Sequence, residues 1–251
     1  MNLPAIVLGA AASIATMRAA IDRGDIDEAA RQGALAGPVT IERALASPDR
    51  PARLAAIAAA PVSTAPTELL DALARTAADP DRRVALPAAR AARTIARDLD
   101  IRRRDLPDDL APDDLVTWRT AWAELARDAD RAIELRVIAL DVAAALDPAG
   151  IGVDFATSLA DPDPAIRRAA IELLPMPVPP ALRTPLATTV AKDTDPSVAL
   201  AAAQILCADL AVDPPKPVLD ALGPAGLQRI RALIATKPPK PVLRDLGRCT
   251  R

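Results

Sequence analysis

DPDPAIRRAAIELLP, residues 161–175, sets two Asp-Pro steps directly before an amphipathic run. An Asp just ahead of a helix caps its first amide groups and favours its positive end. A Pro such as Pro164 at the first helical position supplies a ready-made backbone angle. The same acidic corner recurs along the chain. SPDRPARLAAIAAAP starts at Ser47, DPDRRVALPAARAARTIA at Asp79, DADRAIELRVIALDVAAAL at Asp128, and DTDPSVALAAAQILCADL at Asp193. From Ser47 to Asp193 the intervals are 32, 49, 33 and 32 residues, so an insertion of about 16 residues between Asp79 and Asp128 accounts for the exception.

The columns agree chemically. Five residues after each corner stand Ala52, Val84, Ile133, Ile166 and Val198; nine after stand Ala56, Ala88, Val137, Ala170 and Ala202. Positions four apart share a helix face, so each corner opens a helix with one repeated apolar face. A second, weaker helical pattern precedes each corner, over 67–78, 113–128, 153–160 and 181–193. Each unit therefore reads as helix, short acidic turn, helix.

These units resemble HEAT repeats, whose second helix follows an Asp-x-x-x-Val-Arg-x-x-Ala pattern. Residues 161–174 carry it as Asp161 or Asp163, Ile166, Arg167 and Ala170, and the first unit keeps Asp49, Arg53 and Ala56. The resemblance spans residues 38–210. It implies an all-α fold, a right-handed α-solenoid of about six helical hairpins forming one domain over 1–251, with the second helix of each unit on the concave side. It also implies an Arg that bonds turn Asp residues along the stack. That column keeps Arg53 and Arg167 but holds Ala85, Glu134 and Ala199 in the other units.

Composition suits this reading. Apolar residues make up 51% of the chain, mostly Ala, Leu, Ile and Val, with one Phe, two Trp and no Tyr. Small residues let helices approach closely, whereas strands favour aromatic and β-branched side chains. Nine Gly against 26 Pro indicate many helices separated by stiff corners. At the start, AAIDRGDIDEAARQGALAG (19–37) reads as a further hairpin, with Gly24 at the corner and Asp25 or Asp27 as the cap. Toward the end, PPKPVLDALG (214–223) recurs as PPKPVLRDLG (238–247), giving two proline-started helices around 225–236. These are the expected caps of the stack.

Several chemistries are disfavoured. The formal net charge is −2, so a whole-chain attraction to nucleic acid or an anionic membrane is not expected. The absence of His removes the usual neutral-pH base, the imidazole metal ligand and the Ser-His-Asp triad. The Asp pairs of the corners serve as helix caps, and the Gly and bidentate Glu of a calcium loop are missing. No catalytic residue, metal or cofactor is assigned. Cys207 and Cys249 read as a buried thiol and a tail thiol, with one disulfide as the alternative for an exported protein. The run Pro4–Met17 is too short for a membrane span and has no positive charge before it. It reads as a first packed helix in a cytoplasmic protein, or else as a targeting segment of an exported one.

The expected function is a non-catalytic scaffold binding a protein partner along its concave surface. Polar residues on the second helices are the candidate contacts: Arg90, Arg93, Arg97, Arg136, Arg168, Glu172 and Gln204. Arg102, Arg103 and Arg104 join them from the insertion near 97–113, read as a solvated loop. A nucleic-acid or repair-type reading rests on Trp118 and Trp122 beside Glu124 and Asp128. Their spacing suits core packing equally. A third reading is an exported structural repeat protein.

Overall fold

The computed structural model describes residues 14–105, 112–147, 155–210 and 215–250, with backbone alone for 100–105, 112–114 and 215–216. The described residues are helical, with no strand among them. Contacts group the chain into two compact units, Met1–Leu146 and Asp147–Arg251.

The first unit holds α1 (residues 14–22), α2 (Ile26–Ala36), α3 (Pro38–Leu45), α4 (Arg50–Ala59), α5 (Leu70–Ala77), α6 (Arg82–Asp105), α7 (Pro112–Arg127) and α8 (Ile133–Ala145). Helices α3 and α4, α5 and α6, and α7 and α8 pack as hairpins. The second helices form a row, α2 on α4, α4 on α6 and α6 on α8, and the first helices another, α3 on α5 and α5 on α7. The N-terminal pair belongs to the same series. Gly24 turns the chain at φ 76°, and of the two Asp expected to cap α2 it is Asp25 that accepts the Glu28 N–H, at 2.9 Å. Met17 and Ala20 of α1 are fully buried. The first thirteen residues, which carry most of the candidate targeting segment, lie outside the described residues. Close approach is built in at Gly33, where a Cβ would collide with that of Ala59 in α4.

The second unit repeats the pattern with α9 (Phe155–Leu159), α10 (Pro164–Glu172), α11 (Pro180–Lys192), α12 (Pro196–Asp209), α13 (Pro215–Ala235) and α14 (Lys240–Cys249). Each odd helix packs on the next even one, α10 on α12 on α14, and α9 on α11 on α13. Helix α13 breaks at Gly223, whose φ of 56° and ψ of −173° suit glycine and almost nothing else. Gly223→Ala is expected to cost about 2 kcal/mol and to lower the melting temperature by about 4–8 °C in a thermal scan.

Two sequence readings need correction. The insertion was expected as a loop near 97–113, yet α6 continues through Asp105. Residues 96–105 are Ala, Arg, Asp, Leu and Ile without Gly or Pro, so nothing stops the helix before Pro107. The cysteines are not free thiols. Cys207 and Cys249 form a disulfide with a Cα–Cα distance of 5.4 Å, because α14 packs along α12 and brings the two positions face to face.

A third correction concerns register. Helix α8 starts two residues later in its unit than its counterparts, with Ala132 in the place that Asp49, Asp163 and Asp195 hold before α4, α10 and α12. The extra residues sit in a corner where the Arg131 Nε donates to Asp128 at 2.9 Å and its Nη1 donates to the Ala78 carbonyl at 2.7 Å. The buried column is therefore Ala52, Val84, Leu135, Ile166 and Val198, with Leu135 in place of Ile133. The same shift moves Glu134 out of the arginine column and Arg136 into it.

Candidate functional site

The arginine column is interior architecture. Arg53 Nη1 donates to the carbonyls of Ser47 and Pro48 at 2.8 and 3.1 Å, and its Nη2 lies 3.4 Å from Asp79 of the following corner. Arg167 donates to the carbonyls of Asp161 and Pro162 at 2.9 and 3.0 Å and forks onto both oxygens of Asp193 at 2.8 Å each. That fork holds the Arg167 guanidinium above its ordinary pKa. The adjacent Asp195 is held below the usual carboxylate value by the Ser197 hydroxyl and N–H. Arg136 is 3% exposed and donates to the Ala126 carbonyl at 2.9 Å. It joins α8 to the last turn of α7 and is buried there, where the sequence reading has it as an exposed contact for a partner. Arg167→Lys keeps the charge but loses the fork. It is expected to cost about 2 kcal/mol, read as a lower urea midpoint at unchanged slope.

The other candidates divide between the units. In the first, Arg90, Arg93 and Arg97 project from one face of α6. Arg97 Nη2 lies 2.6 Å from Asp141 of α8, and Arg93 Nη1 lies 3.9 Å from the same oxygen. Arg90 has no ion-pair partner among the described residues. Arg102, Arg103 and Arg104 belong to the last turns of α6, and their side chains lie outside the described residues. In the second unit, the exposed Arg168 pairs with Glu172 at 2.8 Å along α10. Gln204 is half-buried and donates to Asp245 at 3.4 Å, because α14 covers that face of α12. Trp122 is fully buried in α7 and Trp118 half-buried, as their spacing allows.

Beside Arg90 lies a feature that the sequence reading missed. A groove of about 530 Å³ runs over the second-helix face of the first unit, floored by Leu54, Ile57 and Ala58 of α4, Pro61, and Pro87 and Ala91 of α6. The α1–α2 turn closes one side with Ile21, Gly24 and Ile26. Among the described residues, Arg90 and Thr94 are the only polar side chains lining it. Ile26 is 60% exposed at its edge. Pro87, inside α6, carries the one sequence signal: a proline there leaves a carbonyl one turn back without its helical donor, which water supplies only on an open face. No group of three or more His, Cys, Asp or Glu among the described residues is arranged to hold a metal. No described helix is long and apolar enough to cross a membrane.

Compared with known proteins, the chain matches no family model, and no curated protein is similar to it.

Proposed function

We propose that the chain is a helical-repeat scaffold, each unit a stack of HEAT-like hairpins, that binds a protein partner along its second-helix face without catalysis. The observation that carries this reading is the groove of the first unit. It is open, mostly apolar, built by the α1–α2 turn and the second helices α4 and α6, and lined by no carboxylate or thiol among the described residues. A rigid row of helices presents such a surface without a moving part. The nucleic-acid reading has less support, because Trp122 is buried, no aromatic side chain lines the groove, and the net charge is −2.

The second reading, an exported repeat protein, is favoured by one observation, the Cys207–Cys249 disulfide. Such bonds persist in oxidising compartments. We infer export in place of the cytoplasmic location expected from the first residues, and the two readings are compatible.

The scaffold reading is tested with photo-crosslinking residues placed singly at Thr94 and at Arg168 in the cells that make the protein. Discrete protein adducts are expected. Adducts absent at both positions, or formed with nucleic acid, overturn it.

A further inference from the structure

We propose that the groove beside Arg90 takes an acidic amphipathic helical segment of the partner, with its apolar stripe on the groove floor and its carboxylates against α6. The proposal rests on the scaffold reading and adds the chemistry of what is bound.

Shape and charge both bear on it. The floor, Leu54, Ile57, Ala58 and Pro61 with Pro87 and Ala91, offers hydrocarbon over the two second helices α4 and α6, and none of its side chains carries a hydrogen-bonding group. An extended strand seated there would leave its backbone amides unpaired, whereas a helix satisfies its own. Arg90 lines the groove, and Arg93 and Arg97 continue from it along α6 at i+3 and i+7, a row about 10 Å long. Asp141 is the carboxylate that answers Arg93 and Arg97. The neighbouring Asp98 has a partner of its own. Arg93 and Arg97 thus share one carboxylate, and Arg90 meets none among the described residues.

Acidic residues spaced three and four apart on a partner helix repeat at the same rise as this row, so two or three of them can be matched at once. A single-headed amphiphile, such as a fatty acid, meets one Arg and leaves the row uncompensated. A basic helix is repelled by it. A neutral apolar helix covers Arg90 and strips its water without a replacement partner. Charge complementarity at a rim of this kind selects the partner and speeds its arrival, while the apolar floor holds it.

The test uses the full oxidised chain and a fluorescent peptide of about 18 residues, with Leu at i, i+3, i+4 and i+7 and Glu along one flank. Polarisation titration is expected to show it binding at least about tenfold tighter than the same peptide with Lys at each Glu. Arg90→Glu is expected to reverse that order. Thr94→Trp, at an exposed position of α6, fills the groove and abolishes binding of both peptides. Arg168→Glu in the second unit leaves binding unchanged. Unaltered circular-dichroism melts show that each variant is folded. Equal affinity for the two peptides, or indifference to both Arg90→Glu and Thr94→Trp, overturns the proposal. So does binding of oleate, lost in Thr94→Trp, without binding of the Glu peptide. If the Glu peptide fails while Thr94 still crosslinks to a protein, the acidic-helix inference falls and the scaffold reading stands. If Thr94 and Arg168 both give no protein adduct, the scaffold reading falls by its own test.

Discussion

Alanine at both Cys207 and Cys249 is expected to lower the melting temperature of the oxidised protein by roughly 10 °C. The bond joins residues 42 apart in sequence. Closing a loop of that length removes about 4 kcal/mol of chain entropy from the unfolded state in the simplest account. The bond is fully enclosed, with Cys207 in the core of α12 and Cys249 in the last turn of α14. It ties the α13–α14 hairpin to the one before it. Dithiothreitol is expected to destabilise the wild-type protein by the same amount and to leave the double variant untouched. Thiol titration under denaturing, non-reducing conditions is expected to find no free thiol. Two equivalents there would remove both the bond and the export reading.

Asp209→Ala is expected to cost about 3–5 kcal/mol. Asp209 is wholly buried at the end of α12, where one carboxylate oxygen accepts the Val178 N–H at 3.0 Å and the other lies 3.5 Å from Arg183 Nη2. Alanine leaves the Val178 amide without that acceptor and breaks the buried Arg183–Asp209 ion pair. The attraction between the two ions need not itself stabilise the fold, since each has lost its water. The double variant Arg183→Met, Asp209→Leu is therefore expected to be more stable than Asp209→Ala alone. A chemical-denaturation series on the three proteins measures the difference. Equal midpoints for the two variants would show that the lost amide acceptor, not the broken ion pair, carries the loss.

The interaction that binds the helix after residue 174 to α12 thus depends on Asp209, a residue that no repeat pattern singles out. The interaction that ties α10 to the next corner depends on Arg167, which the pattern does single out. This contrast runs through the whole chain. Local chemistry was legible wherever one short stretch contains both partners. Asp25, Asp49, Asp163 and Asp195 each accept from backbone amides two or three residues ahead. Those bonds are encoded by spacing alone. The buried columns follow from helical period plus the recurring corner, and four of the five members of the first column are buried as read.

The fifth column member failed because a corner's length depends on what it packs against. Arg131 reaches the Ala78 carbonyl, 53 residues away, from the corner whose two extra residues start α8 late. Once the start of α8 moves, every apolar position in it moves, Leu135 replaces Ile133, and Arg136 turns inward. Most of the helices, the Asp caps before α2, α4, α10 and α12, and the pairing into hairpins were legible, since these arise from residues within about one repeat of each other. Which arginines are exposed, that the two cysteines meet, and that residues from α1, α2, α4 and α6 enclose a groove were not. Each of those outcomes depends on side chains brought together across several helices, where the register of one element is set by its neighbours.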